Sequence, residues 1–352
     1  MKTLSIIAVS MIAFCLAACA NSASPEAAGG TRAIEVKEFD KIRLTGAGTM
    51  TFRQKPGPAS VKADIPETMR DRVTIEVKNG TLCVDVKARK EVKKLRISPS
   101  VAKRTETESY GRIAVSVTAP ALRQLDAGGA WNFAISGKLD AQTLRISTTG
   151  SCKVNGGELV CSDLRLTQKG ACGFALTGVK SKSIDIEATG SCKADLGKAA
   201  AAATAVSTRG ACTVKAAGLD TQTLTVSASG ACKTEIDKAV VTTADIKTSG
   251  SCKVRMPSVR ASHIKAAATG GCKTTLAGNA ATAILRAAGA SGIDAEGLVS
   301  NSVEAIATGA SSITCDAQKK LSATYSGAAK IGYKGSPSIE TGNSRGLYRI
   351  GK

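Results

Sequence analysis

The chain has 352 residues, a formal net charge of +20, 12 cysteines and a single histidine. One histidine excludes a multi-histidine zinc site and any proton relay built from imidazoles. Aromatic residues make up only 3% of the chain, so its core must be built from small and branched side chains rather than large rings. A chain of this length is expected to form two or three ordinary domains or one long repeat array.

Residues 1–19 have the pattern of a secretory signal peptide. Residues 4–16 are apolar and uncharged, but they are too few to span a bilayer as a stable anchor. The segment ends at Leu16-Ala17-Ala18-Cys19, which resembles the lipobox at which bacterial lipoproteins are cleaved and acylated. We therefore predict that a lipid on Cys19 attaches the mature chain to a membrane. The alternative is an ordinary signal peptide in which this cysteine is incidental.

Residues 20–31 are predicted to be a flexible tether, because they consist mainly of Ala, Ser and Gly. Ala20, rather than an aspartate, follows the predicted lipidation site. By the same resemblance to lipoproteins, this favours a location in the bacterial envelope at the outer membrane. Either side of that membrane remains open.

Residues 32–127 contain short apolar-alternating segments, and we expect them to form β-rich coils of the same domain as the repeats that follow. Asn79-Gly80 predicts a hairpin turn, and Pro66 predicts one helical turn over residues 66–70. The predicted strands are 33–36, 41–44, 49–52, 73–77, 81–86 and 113–117.

A repeat of 20 residues organises the rest of the chain. Each repeat carries a glycine, a small residue and then a cysteine; the cysteines are Cys152, Cys172, Cys192, Cys212, Cys232, Cys252 and Cys272. The series begins at Gly128-Gly129-Ala130, and it continues without cysteine at Ser291, Ser311 and Ala329. A fixed period of this size predicts a solenoid over residues 128–330, with residues 331–352 as a C-terminal cap.

The content of each repeat predicts strands. Apolar residues alternate with polar ones on both sides of the glycine motif, as in Leu144-x-Ile146 and Cys212-x-Val214, so one side of each strand faces inward. The alanine run 199–203 is predicted to be a turn between strands. The Leu/Asn ladder of leucine-rich repeats is absent. The predicted fold is all-β: a single-stranded parallel β-helix, or β-solenoid, with about 20 residues per coil.

The repeated cysteines are predicted to stack as an inward column on successive coils, roughly 4.8 Å apart. Three hypotheses remain open: buried free thiols that act as small fillers, disulfides between neighbouring coils, or thiolates that bind a soft metal or sense redox state. The filler hypothesis is favoured because Ala130, Ser291, Ser311 and Ala329 occupy the same slot. Cys83, Cys161 and Cys315 lie off the column and carry no motif.

The position after each cysteine is predicted to face outward and is often lysine: Lys153, Lys193, Lys233, Lys253 and Lys273, with Lys330 in the last copy. This pattern is compatible with a solvated basic face or with a stripe that binds anions. Residues 87–96 add six basic residues against one glutamate.

The order of motifs carries a family resemblance. Phe39-Asp40-Lys41-Ile42, Thr45-Gly46-Ala47-Gly48, Asn79-Gly80-Thr81-Leu82 and Ala119-Pro120-Ala121-Leu122, followed by the glycine repeats, resemble the head GIN domain family of putative auto-transporter adhesins. The resemblance covers roughly residues 32–350 and implies an exported or lipid-anchored β-helix without catalytic residues. This chain has cysteine where the family has a small residue.

The leading prediction is therefore a non-enzymatic, adhesin-like envelope lipoprotein that needs no metal or cofactor. Its predicted partners are a membrane, through Cys19, and an anionic polysaccharide or other envelope polymer, but not nucleic acid. The alternatives are a structural, thiol-rich envelope protein and an enzyme acting on polysaccharide. An enzyme would require paired carboxylates on one face, whereas the acidic residues are scattered over the repeat.

Overall fold

The computed structural model describes residues 31–98, 101–109, 113–341 and 345–351. The predicted signal peptide, Cys19 and almost all of the tether lie outside the described residues.

The described residues form a succession of β-strands and one short 3-10 helix, Glu67–Arg72. The N-terminal strands are β1 (Thr31–Ile34), β2 (Lys41–Thr45), β3 (Ala47–Gln54), β4 (Ser60–Asp64), β5 (Val73–Lys78), β6 (Thr81–Val86), β7 (Arg89–Ser98), β8 (Val101–Ser109) and β9 (Ala114–Ala119). The repeat region contains β10 (Gln124–Ile135), β11 (Leu139–Gly150), β12 (Lys153–Gly170), β13 (Gly173–Lys180), β14 (Ser183–Gly190), β15 (Lys193–Asp195), β16 (Lys198–Gly210), β17 (Thr213–Ala216), β18 (Gly218–Gly230), β19 (Lys233–Ile236) and β20 (Ala239–Gly250). It ends with β21 (Lys253–Gly270), β22 (Lys273–Gly289), β23 (Gly292–Gly309), β24 (Ser312–Gly327), β25 (Lys330–Lys334), β26 (Ser338–Thr341) and β27 (Leu347–Arg349).

The strands of the repeat region stack in parallel, each on the equivalent strand of the next coil. Gly210 of β16 pairs with Gly230 of β18, 20 positions later, and Gly230 pairs with Gly250 of β20. This ladder confirms the predicted all-β parallel solenoid and its repeat length. The alanine run 199–203 lies within β16 rather than in a turn, because Ala199 and Ala201 pair with residues of β18.

Each coil has three faces. In the coil that follows Cys212, the first face is β17, the second face is residues 218–221, and the third face is residues 223–230. A glycine corner at Gly230 then leads into the first face of the next coil. We use these three names for the equivalent residues of every coil.

The core is a narrow space enclosed by the three faces. Alternation sends every second side chain inward, and the inward residues of this coil are Cys212, Val214, Ala216, Leu219, Thr221, Leu224, Val226 and Ala228, all buried. Small and branched side chains fill so narrow a section, which explains the low aromatic content of the chain.

The N-terminal coils are not stacked in chain order. β10 pairs in parallel with β2 and β3, and these pair in turn with β6 and β9. The coil of β2 and β3 therefore lies between two others. The strands β6 and β9 form the terminal coil, and β10 pairs with the coil of β2 and β3 as well.

An antiparallel layer, which the sequence did not predict, lies at this end. β4 pairs antiparallel with both β1 and β9, although residues 60–64 were not among the predicted strands. The antiparallel hairpin of β5 and β6 confirms the predicted turn at Asn79-Gly80, where both residues have positive φ. The helical turn after Pro66 is also confirmed. Across the described ranges, no helix has the length and hydropathy that crossing a bilayer requires.

Candidate functional site

The glycine corner sets the position of each inward cysteine. Gly210 has φ +100°, a conformation that favours glycine over any residue with a Cβ. A Cβ on Gly210 would lie 2.6 Å from the carbonyl oxygen of Gly190 on the preceding coil. The corner therefore requires glycine for its backbone conformation and for the close approach of consecutive coils.

The seven repeated cysteines form one buried column, which we call the cysteine column, behind these corners. The Cys212 Sγ lies 3.5 Å from the carbonyl oxygen of Gly190 and 3.4 Å from that of Arg209, and these two acceptors share its single hydrogen. Equivalent pairs of acceptors recur at the other members except Cys272, as at Cys232, whose Sγ lies 3.4 Å from the oxygen of Gly210; Cys272 contacts the corner oxygen of Gly250. The thiol is thus a hydrogen-bond donor to the corner as well as a small apolar filler.

Serine takes over this donor role where the column ends. Ser291, also buried, places Oγ 2.9 Å from the carbonyl oxygens of both Ala268 and Ala288, which share its single hydroxyl hydrogen as acceptors. Ser311 makes the equivalent bond to Ala287 at 3.1 Å. Cysteine and serine therefore share one structural role here, a small side chain that donates to the backbone.

The first copy of the motif begins at Gly129, one residue later than the predicted start at Gly128. Gly129, not Gly128, pairs with Gly150 and has the positive φ of a corner glycine. The inward slot of that coil is therefore Trp131, which is fully buried, while Ala130 is exposed. Small size is not a requirement at this end of the column, because Gly48 on the neighbouring coil leaves room for the indole ring.

Burial favours the protonated form of four thiols of the column. Burial raises the pKa of the Cys192 and Cys252 thiols to about 11, and burial also raises the pKa of Cys152 and Cys212. All ten cysteines that the structure describes are free thiols. Within the described ranges, no group of three or more histidine, cysteine or acidic side chains is arranged to hold a metal ion.

These raised pKa values predict a loss of stability at alkaline pH. The folded chain prefers the protonated thiol, so the stabilisation is complete below the ordinary thiol pKa of 9.0 and is lost as the pH rises through about 11. We expect the urea midpoint to fall over this window, and to fall less in the variant Cys192→Ser/Cys252→Ser, which keeps the donors but does not titrate. Lysine titration is common to both proteins, so equal falls would contradict the assignment.

The remaining cysteines occupy other positions. Cys161 lies in an inward position of the second face, 3.6 Å from the Ser181 hydroxyl oxygen, and Cys315 is buried on the first face. Cys83 is half-buried on β6, beside Arg43 of β2. Burial raises the pKa of Cys315 to about 12.

The six predicted lysines lie in one exposed row on the first face, which we call the lysine row. Lys233, Lys253 and Lys273 are direct neighbours in the ladder, whereas other residues interrupt the row elsewhere. In order along the solenoid the row reads Lys153, Gly173, Lys193, Thr213, Lys233, Lys253, Lys273, Gly292, Ser312 and Lys330. Nine coil intervals of roughly 4.8 Å give the row a length of about 43 Å.

Glu235 neutralises part of this surface. Its carboxylate oxygens lie 2.6 Å from Lys233 Nζ and 3.1 Å from Lys215 Nζ. Hydrogen bonds from Lys233 and Lys215 lower the pKa of Glu235, which therefore stays ionised. Lys233 lies on the same coil as Glu235, whereas Lys215 is its ladder neighbour on the preceding coil.

Three cations on the two coils after Glu235 form no ion pair with any residue that the structure describes: Lys253, Arg255 and Lys273. Arg255 is the ladder neighbour of Glu235, but both oxygens of that carboxylate are already bound by lysines. Unscreened charges on adjacent rungs repel by about 0.9 kcal/mol in water, so grouping these like charges does not stabilise the fold. We call these three residues the unpaired cation cluster.

Several solved structures are similar to this chain at low identity. A putative adhesin from Bacteroides fragilis NCTC 9343 is 19% identical over 91% of this chain and 92% of its own, with a TM-score of 0.31. A putative lipid binding protein from Parabacteroides distasonis ATCC 8503 is 16% identical over 92% and 94%, with a TM-score of 0.27. A putative adhesin from Parabacteroides merdae ATCC 43184 is 15% identical over 92% and 94%, with a TM-score of 0.28.

Among curated proteins, no sequence matches the chain. A family model does match it, over residues 38–255 and again over residues 222–337, and its description is "Putative auto-transporter adhesin, head GIN domain". The two matches together span the N-terminal coils and nearly all of the repeats. The chain therefore belongs to the head GIN domain family of putative auto-transporter adhesins.

Proposed function

We propose that this protein is a non-enzymatic, adhesin-like module of the bacterial envelope that binds anionic polymers through its first face. The unpaired cation cluster of Lys253, Arg255 and Lys273 carries the proposal, because none of its three positive charges forms an ion pair with a described acidic side chain. A chain of negative groups lying along the lysine row would meet a lysine on three successive coils, at Lys233, Lys253 and Lys273. Membership of an adhesin-type family supports a binding role.

The same proposal includes attachment at Cys19 to the outer membrane. The lipobox-like tetrapeptide supports it, together with the tether composition of residues 20–31. A tethered solenoid would present a long face to polysaccharide or other envelope polymers. The net charge of +20 attracts such polymers from a distance and speeds their encounter.

Retention on immobilised polygalacturonate tests the polymer-binding part. We expect the chain to be retained at low salt and released as salt rises, because screening weakens contacts between exposed charges. The variant Lys253→Ser/Lys273→Ser should elute at clearly lower salt.

The matched control is Lys138→Ser/Lys238→Ser, which removes the same charge from exposed lysines outside the lysine row. It should elute close to the parent protein. Equal losses in the two variants would show that net charge alone is responsible. No retention of the parent at low salt would refute the proposed function.

A further inference from the structure

The third face carries a groove that the 20-residue repeat does not predict. It has a volume of about 590 Å³ and crosses five coils close to the glycine corner, with mostly short side chains along it. Two rows of outward residues line it: Glu187, Ser207, Ser227, Lys247 and Ala267, and beside them Thr189, Arg209, Ser229, Ser249 and Thr269. Its volume is in the range of pockets that bind small ligands.

The centre of the groove combines two hydroxyls with two cations. Ser227 and Ser229 lie two residues apart on β18, point outward and are both half-buried. Arg209 is the ladder neighbour of Ser229 on the preceding coil, and Lys247 is the ladder neighbour of Ser227 on the following coil. The serine pair therefore has a cation on each side, placed diagonally across it.

The two cations differ in whether an acidic side chain already pairs with them. Lys247 Nζ lies 2.9 Å from a carboxylate oxygen of Asp245, so part of its charge is satisfied. Arg209 is exposed, and its guanidinium forms no hydrogen bond or ion pair with any side chain in the described ranges. Among the described residues that line the groove, Glu187 is the one acidic side chain, and it lies toward one end, beside Ser207 rather than beside the serine pair.

Such a set of donors fits one oxyanion. Serine hydroxyls and a guanidinium fork both donate hydrogen bonds to the oxygens of sulfate, phosphate or carboxylate groups. The groove continues beyond this point over further hydroxyls, those of Ser207, Ser249 and Thr269. Hydroxyls both donate and accept, as sugar hydroxyls do, so the extended part suits a sugar chain better than a free ion.

We infer that Arg209, Ser227, Ser229 and Lys247 form a subsite for a single anionic substituent on a glycan chain that lies along the third face. The ligand class agrees with the proposed function, but the residues are different from those of the lysine row. Binding at the third face and binding at the lysine row can therefore be tested and refuted separately.

Titration of the full chain with a sulfated dextran tetrasaccharide tests the inference. Loss of a hydrogen bond to a charged group costs about tenfold or more in affinity, so Arg209→Gln should weaken binding by at least that factor. Ser227→Ala/Ser229→Ala should also weaken it. Arg260→Gln is the matched control, since Arg260 is exposed on the second face, and should leave binding unchanged.

Two further ligands distinguish the sources of the oxyanion. Uncharged dextran tetrasaccharide should bind much more weakly, and inorganic sulfate should compete only at far higher concentration. Sulfate that competes as well as the sulfated sugar would overturn the glycan part. Unchanged affinity in Arg209→Gln and in the double serine variant would overturn the subsite, even if Lys253→Ser/Lys273→Ser still weakened polymer retention and so upheld the proposed function.

Discussion

Replacing Gly210 with alanine should lower the free energy of unfolding by about 3 kcal/mol or more. The new Cβ would lie 2.6 Å from a backbone oxygen of the preceding coil, and this oxygen cannot move without displacing Gly190. The residue would also be held at φ +100°, where a side chain is strained. Urea denaturation followed by circular dichroism measures the change.

Gly173→Ala is the matched control for this prediction. Gly173 also lies in a repeat, but its φ is not positive, and a Cβ there would meet only the Lys153 side chain at 3.6 Å, an ordinary contact. Its stability should stay within about 0.5 kcal/mol of the parent. Similar losses at both glycines would show that the corner does not depend on the close approach of the coils.

Trp131→Ala should cost about 3–5 kcal/mol, the usual range for removing a large buried aromatic side chain. The ring is fully buried and lies against Gly48 of the neighbouring coil, where an added Cβ would be 2.7 Å from it. Its removal leaves a cavity at the junction between the N-terminal coils and the regular repeats. Because those coils are stacked out of chain order, we expect this junction to open first on heating.

Trp131→Phe separates volume from polarity at the same site. The indole N–H is buried without a hydrogen-bond partner in the described part of the chain, so phenylalanine removes an unsatisfied donor and leaves a smaller cavity. Its loss of stability should be much smaller than that of Trp131→Ala. An alanine variant as stable as the phenylalanine variant would mean that Trp131 does not fill the junction.

The regular coils were predictable because a strict period and alternating polarity both act locally. A glycine every 20 residues, followed by inward Cys212 and Val214, determines the corner, the first face and the direction of each side chain. The N-terminal end was less predictable, since β4 is antiparallel and its partners β1 and β9 are distant in sequence. Two consecutive glycines, Gly128 and Gly129, also left the register of the first copy ambiguous by one residue.

The binding surfaces were only partly predictable. The lysine row follows from the period, but the ion pair between Lys215 and Glu235 depends on side-chain reach between neighbouring coils. The third-face groove depends on which short residues become neighbours in the ladder, as Ser229 and Arg209 do. No single repeat contains that information.

The salt dependence of polygalacturonate binding tests the proposed role of the first face most directly. We predict that the logarithm of the dissociation constant rises linearly with the logarithm of salt concentration, as expected when cations replace counterions on a polyanion. The slope should become shallower in Lys253→Ser/Lys273→Ser and stay unchanged in Lys138→Ser/Lys238→Ser. A slope that is the same in all three proteins would contradict binding through the unpaired cation cluster.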